Sequence, residues 1–237
     1  YDITWSDGQS GPDAQNLPAG SFTVAVIDQQ GCTDTLPVTI SEPPVLTNDF
    51  TIENVSCNGQ ADGSLQAQGA GGAGALNYSW STGATATDLS DLPAGTYILT
   101  LTDANNCELL DTAQITEPTP LTLVLNNVQD VACNGEATGA LSVTAGGGAG
   151  GYTYSWSGGL GDTPDPTGLT AGSYSLTVTD LNGCTIFDAY TIAEPTELVT
   201  VIEPDGIADI DCFGENSGSI AVEVSGGSPP YTYLWSN

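Results

Sequence analysis

Basic side chains are absent from this sequence. It contains no lysine, arginine or histidine and no methionine, whereas aspartate and glutamate together number 29, so the formal net charge is −29. Surfaces that bind nucleic acids or anionic membranes need basic groups, so the sequence excludes both roles and predicts no membrane insertion in this segment. Salt bridges between side chains are excluded as well.

The same absences argue against an enzyme. Without histidine, no side chain has an ordinary pKa near neutral pH, and without lysine or arginine no side-chain cation can stabilise an oxyanion. Paired carboxylates can hydrolyse glycosides. Here, however, the carboxylates recur in turns from one repeat to the next, and an enzyme rarely repeats its active site in series. We therefore expect no enzymatic activity.

A strongly acidic chain can be disordered, but this one has the composition of a folded β protein. Charged residues make up only 12% of the chain, and hydrophobic residues make up 39%. The apolar residues are patterned, and threonine, serine, glycine, valine and tyrosine are abundant, which favours strands and turns over helices. There is no signal peptide and no apolar run of about 18 residues.

Three sequence motifs recur in the same order along the chain, at a nearly constant spacing. A tryptophan segment occurs at 1–8, 76–83, 152–159 and 231–237, and its tryptophans are 75, 76 and 79 residues apart. A second motif, exemplified by LPAGTYILTLTDANNC, ends at Cys32, Cys107 and Cys184. A third, exemplified by CNGQADGS, begins at Cys57, Cys133 and Cys212. A period near 76 exceeds a solenoid unit and predicts tandem domains, each with its own core.

A recurring glutamate–proline motif also predicts the domain boundaries. A glutamate–proline pair closes each unit at 42–43, 117–118 and 194–195, and proline stiffens a linker because it cannot donate to a sheet. We expect complete repeats at 44–118 and 119–195, the C-terminal part of a repeat at 1–43, and the N-terminal part of another at 196–237. Both ends then fall in mid-domain, so the parent protein is expected to be longer.

Short strands and frequent turns predict a tandem immunoglobulin-like, PKD-like β-sandwich array in an extended rod. Within 44–118 the strands are expected at 46–55, 64–68, 77–81, 85–89, 96–102 and 107–116. Trp80 and its counterpart Trp156 are expected in the domain cores. Tyr97 and Tyr174 open the penultimate strand, where a tyrosine-corner contact and core packing are expected.

The ordered motifs resemble a known family. The combination of C-x-G-x-x-x-G-S, GG-x-P-Y-T-Y-x-W, L-x-A-G-x-Y-x-x-x-V-x-D-x-N-G-C and a closing E-P is similar to the SprB-type repeat. That resemblance implies a large cell-surface adhesin of gliding or predatory Bacteroidota, exported by the type IX secretion system. It therefore implies an extracellular location at the cell surface, and it does not indicate a ligand.

The six cysteines predict disulfides, because the chain reads as secreted and has neither Cys-x-x-Cys pairs nor histidine for zinc. Cys57 lies in the loop after the first strand, and Cys107 follows the last hairpin turn. In an immunoglobulin-like sandwich these places are at opposite poles. An eight-residue strand spans roughly 26 Å, whereas the Cα atoms of a disulfide lie roughly 4.4–6.8 Å apart. This geometry favours an interdomain bond from Cys57 to Cys184.

Two alternatives to the interdomain bond stay open at this point. Each complete repeat could close its own bond, Cys57 with Cys107 and Cys133 with Cys184, or the thiols could remain free. If the interdomain rule holds, Cys107 pairs with a cysteine before residue 1 and Cys133 with one beyond residue 237.

Oxygen-rich turns provide the candidate cofactor site. Asp103 with Asn105, and Asp180 with Asn182, could contribute to a calcium site. The other interpretation is that these residues make tight hairpins, as Asn-Gly and Asp-Gly turns do. Short motifs mark Asn54 and Asn77 as N-glycosylation candidates, and Thr35 and Thr112 match the O-glycosylation motif of the Bacteroidota that the resemblance implies.

The leading functional hypothesis is structural. The chain is predicted to be a stiff, protease-resistant stalk or filament segment whose partners are neighbouring repeats and identical chains in a filament. The competing hypothesis is a repeated carbohydrate- or surface-binding module, calcium-dependent in one form. Its candidate aromatic residues are Tyr1, Tyr152 and Tyr231, which precede the tryptophan strand.

Overall fold

The prediction of an all-β immunoglobulin-like chain is confirmed. The computed structural model describes residues 1–236, so the last residue of the predicted repeat 196–237, Asn237, lies outside the described residues. Every regular element in the described part is a β-strand, and it therefore holds no helix that could span a membrane.

Seventeen strands alternate with short turns. They are β1 (Asp2–Trp5), β2 (Gly20–Ile27), β3 (Thr33–Ile40), β4 (Thr47–Glu53), β5 (Gly63–Ala70), β6 (Asn77–Trp80), β7 (Asp88–Leu92), β8 (Gly95–Thr102), β9 (Glu108–Ile115), β10 (Thr122–Gln129), β11 (Gly139–Gly146), β12 (Thr153–Trp156), β13 (Thr167–Leu169), β14 (Gly172–Thr179), β15 (Thr185–Ile192), β16 (Val199–Ala208) and β17 (Ser219–Ser225).

Two compact units make up the chain. Unit 1 comprises Tyr1–Glu53, Ser64–Asp91 and Gly95–Ile115, and unit 2 comprises Asn54–Gly63, Leu92–Ala94 and the described residues from Thr116 onward. The cysteine loop at 54–63 thus belongs to the same unit as the following repeat. The domain boundaries deduced from the sequence stay predictions.

Small sheets repeat in the same order. The sheets of unit 1 have the orders β1-β2-β3, β4-β5-β7 and β6-β8-β9, and those of unit 2 have the orders β10-β11-β13, β12-β14-β15 and β16-β17. Neighbouring strands run antiparallel, as in β8 and β9, where Gly95 faces Ile115 and Thr102 faces Glu108. The recurring order of sheets follows from the recurring sequence.

The core of each complete repeat lies between its two sheets. In unit 1, β5 contributes Leu65, β8 contributes Leu99 and Leu101, and β6 contributes Trp80, all of them 3% exposed or less. The corresponding cluster in unit 2 consists of Val131, Leu141, Val143, Trp156, Leu169, Leu176, Val178, Tyr190 and Ile192. Alternation along β8 and β14 therefore sends the apolar side chains inward, as expected for strands with one buried face.

The tryptophans also fix the turn that follows their strand. The indole N–H of Trp80 donates to the carbonyl of Ala86 at 2.9 Å, and the backbone N–H of Trp80 donates to the carbonyl of Ala84 at 2.9 Å. These bonds hold residues 84–86 in an irregular segment outside the sheet, and the crossing strand is Asp88–Leu92. The prediction of a strand at 85–89 was wrong by three residues for this reason.

The two predicted core tyrosines differ in burial. Tyr97 is 6% exposed, whereas Tyr174 is partly buried and packs against the core cluster of unit 2. The hydroxyl of Tyr174 donates to the carbonyl of Thr170 at 2.9 Å, four residues upstream. This is the backbone contact of a tyrosine corner.

Replacing a core tryptophan should destabilise its own repeat. Trp156 is 5% exposed, and we expect Trp156→Ala to cost about 3–5 kcal/mol because it leaves a large cavity and frees the carbonyl of Thr163. Calorimetry would measure the loss as a lower melting transition. The matched control is Phe187→Ala in the same repeat, since Phe187 is 66% exposed. An equal effect of both changes would contradict the assigned core.

Candidate functional site: the stapled junction

A disulfide joins the cysteine loop of one repeat to the last hairpin of the next. Cys57 and Cys184 are bonded, with their Cα atoms 5.7 Å apart and a sequence separation of 127. Both belong to unit 2. The Cys57–Cys184 bond, which was predicted from the positions of the two cysteine-bearing loops at the ends of the sandwiches, is therefore present. A bond between Cys57 and Cys107 is not.

A tight turn presents Cys57. The N–H of Gln60 donates to the carbonyl of Cys57 at 3.1 Å, and Gly59 has a φ of 76°, where a side chain would be strained. The N–H of Gly59 donates to Oε2 of Glu117 at 2.6 Å, and the side-chain amide of Asn58 donates to the carbonyl of Pro118 at 3.1 Å. The glutamate–proline pair is thus hydrogen-bonded to the cysteine loop.

The hairpin after β14 presents Cys184. Oδ1 of Asp180 accepts the backbone N–H groups of Asn182 and Cys184, both at 2.9 Å. The side-chain amide of Asn182 then donates to the carbonyl of Ser56 at 2.8 Å. We call the set Ser56, Cys57, Asn58, Gly59, Glu117, Pro118, Asn182 and Cys184 the stapled junction.

The loop half of this arrangement recurs in the next repeat. Asn134 donates its side-chain amide to the carbonyl of Pro195 at 3.0 Å, and the N–H of Gly135 donates to Oε2 of Glu194 at 2.7 Å. Cys133 occupies the place of Cys57, but it is a free, exposed thiol. The loop geometry is therefore built by hydrogen bonds with or without a disulfide partner.

The other candidate cysteines are also unbonded. Cys32, Cys107 and Cys212, like Cys133, are exposed free thiols. Cys32 and Cys107 are hairpin cysteines that correspond to Cys184, and Cys212 is a loop cysteine that corresponds to Cys57.

In the candidate calcium turns, the aspartate carboxylates accept hydrogen bonds from backbone N–H groups. Asp103 accepts the N–H groups of Ala73, Asn105 and Cys107 at 2.8, 2.8 and 2.9 Å. Asp180 likewise accepts the N–H of Ala149 at 2.8 Å in addition to its two hairpin bonds. The part of the chain that the structure describes contains no group of three or more acidic or cysteine side chains that could hold a metal ion. These contacts favour the hairpin interpretation.

Close packing accompanies these bonds. The glycine-rich loop approaches Asp103 so closely that a Cβ on Gly72 would lie 2.8 Å from the Cβ of Asp103. The N–H of Ala73, followed by that of Cys107, lowers the pKa of Asp103 below its ordinary value of 3.8. The N–H of Ala149 does the same for the pKa of Asp180. Both aspartates thus lock a hairpin onto a glycine-rich loop.

A further carboxylate closes the cysteine loop. Asp62 accepts the N–H of Ser56 at 3.0 Å and also its hydroxyl. The Ser56 side chain, and then its backbone N–H, lowers the pKa of Asp62 below the ordinary value. Asp62 is therefore a structural member of the loop that carries Cys57.

The glycosylation candidates lie on exposed parts of strands and loops. Oδ1 of Asn54 accepts the N–H of Thr116 at 2.8 Å, so this side chain already has a structural contact. Asn77 is exposed at the start of β6, and Thr35 and Thr112 are exposed on β3 and β9. Occupancy of these positions by glycans stays a prediction.

Sequence reasoning missed the amides of the junction. Asn58 was not singled out, and Asn182 was considered as a calcium ligand or as a hairpin residue, although its amide reaches Ser56. A signal was present in the sequence, because Cys-Asn-Gly recurs at 57–59 and 133–135 in phase with the glutamate–proline pairs. That phase relation predicts contact between the two motifs.

Removing the hairpin carboxylate should destabilise the chain in a pH-dependent way. Because folding lowers the pKa of Asp103, its stabilisation is present above pH 3.8 and is lost as the pH falls through the lower folded value. We expect Asp103→Asn to lower the melting temperature by several degrees at neutral pH, and the difference from wild type to shrink below pH 4 or so. Melting curves across this range would measure it.

The matched control is Glu108→Gln, which removes one charge from an exposed position of the same hairpin. It should change the melting temperature little at any pH. The loss in Asp103→Asn should be the same with added calcium and with a chelator. A decrease in melting temperature that appears only with calcium would indicate a calcium site at this turn.

The SprB repeat family model matches residues 50–85, 125–161 and 206–237. Each matched segment contains one loop cysteine and one tryptophan of the repeat. The chain therefore contains three segments that are similar to the SprB repeat. No curated protein sequence matches it.

Among solved structures, three N-terminal domains of the highly immunogenic outer capsid protein of bacteriophage RB49 are similar, at 16% identity and a TM-score of 0.43, over 78% of this chain and 70% of that one. The eight N-terminal immunoglobulin domains of Down syndrome cell adhesion molecule are similar at 14% identity and a TM-score of 0.42, over 82% and 33%. A C-terminal intimin fragment is similar at 17% identity and a TM-score of 0.31, over 78% and 60%.

Proposed function

We propose that this chain of SprB-type repeats is a structural segment, a stiff stalk or filament piece of a large secreted adhesin at the cell surface. The observation that carries the proposal is the Cys57–Cys184 disulfide, which joins successive repeats. Gliding motility, type IX secretion and an origin in Bacteroidota are part of the same proposal, because the motifs resemble the family with these properties.

The disulfide limits how far the chain can be stretched. When the two ends are pulled apart, tension passes through the sulfur–sulfur bond, and the residues between Cys57 and Cys184 cannot extend. This closed loop contains β5 to β14 and therefore most of both complete repeats. The hydrogen bonds of Asn58 and Asn182 hold the two sides of the junction together in addition.

The composition supports an extracellular location. Disulfides persist in oxidising compartments. The absence of lysine and arginine leaves no trypsin cleavage site in the chain, and without lysine no isopeptide bond can brace it. Cystine is then the covalent brace that this composition allows.

The competing binding function has less support from the aromatic residues. The hydroxyl of Tyr152 donates to the carbonyl of Gly147 at 2.7 Å, and that of Tyr231 donates to the equivalent carbonyl of Gly226. Both side chains are partly buried and brace the glycine-rich loop. Of the three candidates, only Tyr1 is largely exposed, at 90%.

Force spectroscopy tests the mechanical role directly. With a sequence separation of 127 between the bonded cysteines and roughly 3.3–3.6 Å per extended residue, reduction should lengthen the fully stretched chain by about 420–460 Å. The comparison is between oxidised and reduced molecules pulled from their ends. An identical stretched length in both states would refute the proposed restraint.

The free energy of unfolding provides a second test. We expect the double change Cys57→Ser and Cys184→Ser to cost about 2–4 kcal/mol, because the closed loop restricts the unfolded chain. Denaturant titration of the oxidised proteins measures the cost. The matched control is Cys107→Ser with Cys133→Ser, which removes one free hairpin thiol and one free loop thiol. Equal destabilisation by the control would argue against a stabilising disulfide.

A further inference from the structure

Three turns place an asparagine directly before a glycine. The pairs lie at 58–59 and 134–135 in the cysteine loops and at 182–183 in the hairpin after β14. The glycines have φ values of 76°, 79° and 83°, a conformation that is strained for a residue with a Cβ. Each turn therefore needs its glycine, and the glycine leaves its own N–H without the cover of a side chain.

An asparagine that precedes glycine is chemically labile in water. The glycine nitrogen attacks Cγ of the asparagine side chain and forms a carbon–nitrogen bond. The bond from Cγ to Nδ2 breaks, and ammonia leaves with the proton of the glycine N–H. One water molecule then opens the succinimide ring to aspartate or isoaspartate. Water is the only co-reactant, and the three asparagines are exposed to it.

In the two cysteine loops, a carboxylate holds the attacking group. The N–H of Gly59 donates to Oε2 of Glu117 at 2.6 Å, and the N–H of Gly135 donates to Oε2 of Glu194 at 2.7 Å. Attack requires the loss of this proton, which would leave a negative charge on the nitrogen beside the carboxylate. Because like charges at this distance repel, the carboxylate disfavours deprotonation and slows ring closure.

The leaving amide is held at the same place. The side-chain amide of Asn58 donates to the carbonyl of Pro118 at 3.1 Å, and that of Asn134 donates to the carbonyl of Pro195 at 3.0 Å. An amide group that rotates toward the glycine nitrogen gives up this hydrogen bond. Both reacting groups of each loop are thus bonded to the glutamate–proline pair that ends the same repeat.

We propose that the asparagine–glycine pairs of the cysteine loops are sites of spontaneous deamidation, and that the glutamate of the adjoining glutamate–proline pair slows the reaction. Glu117 has this role for 58–59, and Glu194 has it for 134–135. The inference goes beyond the structural role proposed above, because it concerns the chemical lifetime of the loops and not the disulfide.

Deamidation would undo the contacts that slow it. A carboxylate at position 58 cannot donate to the carbonyl of Pro118, and it would add a negative charge next to the residue that is bonded to Glu117. Isoaspartate would also lengthen the main chain of the tight turn by one methylene group. Either product therefore loosens the loop that carries Cys57.

The hairpin pair serves as an internal reference. The N–H of Gly183 donates to the main-chain carbonyl of Asp180 at 3.1 Å, and the amide of Asn182 donates to the carbonyl of Ser56 at 2.8 Å. The N–H of this glycine is thus held within its own hairpin and not by a glutamate–proline pair. Its deamidation rate should stay the same when either glutamate is changed.

The test compares Glu117→Gln with the wild type in the oxidised 237-residue chain. Glutamine keeps an oxygen that can accept the N–H of Gly59 but removes the charge. After incubation at neutral pH, the chain is reduced and cleaved with an acid-residue protease, and chromatography with mass spectrometry measures aspartate and isoaspartate at each pair. We expect deamidation at Asn58 to be roughly five- to tenfold faster in the variant.

Glu194→Gln is the matched variant of the second loop. It should accelerate deamidation at Asn134 by a similar factor and leave the rate at Asn58 unchanged. Glu117→Gln should in turn leave the rate at Asn134 unchanged. Each variant is therefore the control for the other within one molecule.

A third variant separates the charge from the order of the loop. Asp62→Ala removes both hydrogen bonds that Asp62 accepts from Ser56 in the same loop, but it leaves Glu117 in place. It should change the rate at Asn58 much less than Glu117→Gln does.

Three results would overturn the proposal. These are an unchanged or slower rate at Asn58 in Glu117→Gln, an increase at all three pairs in that variant, and an equal increase at Asn58 in Asp62→Ala. A failure of the Cys57–Cys184 restraint in pulling experiments would leave these rates untouched, so the two proposals fail separately.

Discussion

Backbone N–H groups take the place of basic side chains in this protein, and the rest of the structure depends on that substitution. With 29 acidic residues and no lysine, arginine or histidine, a carboxylate that is held in the fold accepts hydrogen bonds from uncharged donors, and in the hairpins and the cysteine loop these include main-chain N–H groups. Asp103 and Asp180 do so in the hairpins, and Glu117 does so at the cysteine loop. Each of these bonds joins two segments that are distant in sequence, so these acidic residues position the loops and hairpins.

The sequence predicted most of the fold because apolar alternation and period are local signals. Tyr97, Leu99 and Leu101 alternate on β8, and the recurrence of the tryptophan segment identified the core anchors. The crossing strand was misplaced because its start depends on the hydrogen bond from the Trp80 indole to Ala86. A hydrogen bond from a side chain to a backbone carbonyl does not change the spacing of apolar residues in the sequence. An argument from hydrophobic periodicity and strand propensity therefore cannot find it.

The junction was predictable only in part, for a related reason. The disulfide between Cys57 and Cys184 follows from the poles of a sandwich, since strand length alone separates Cys57 from Cys107. The amides of Asn58 and Asn182 reach across to carbonyl groups of other segments. A carbonyl acceptor belongs to every residue and carries no sequence signature, and for that reason the amide contacts became visible only in the structure.

One pairing rule would extend the mechanical role from one repeat to the next. The loop closed by Cys57 and Cys184 contains both Cys107 and Cys133. If each loop cysteine bonds the hairpin cysteine one repeat on, successive loops overlap, and no complete repeat lies outside a closed loop. Tension would then pass from one sulfur–sulfur bond to the next through short connecting segments.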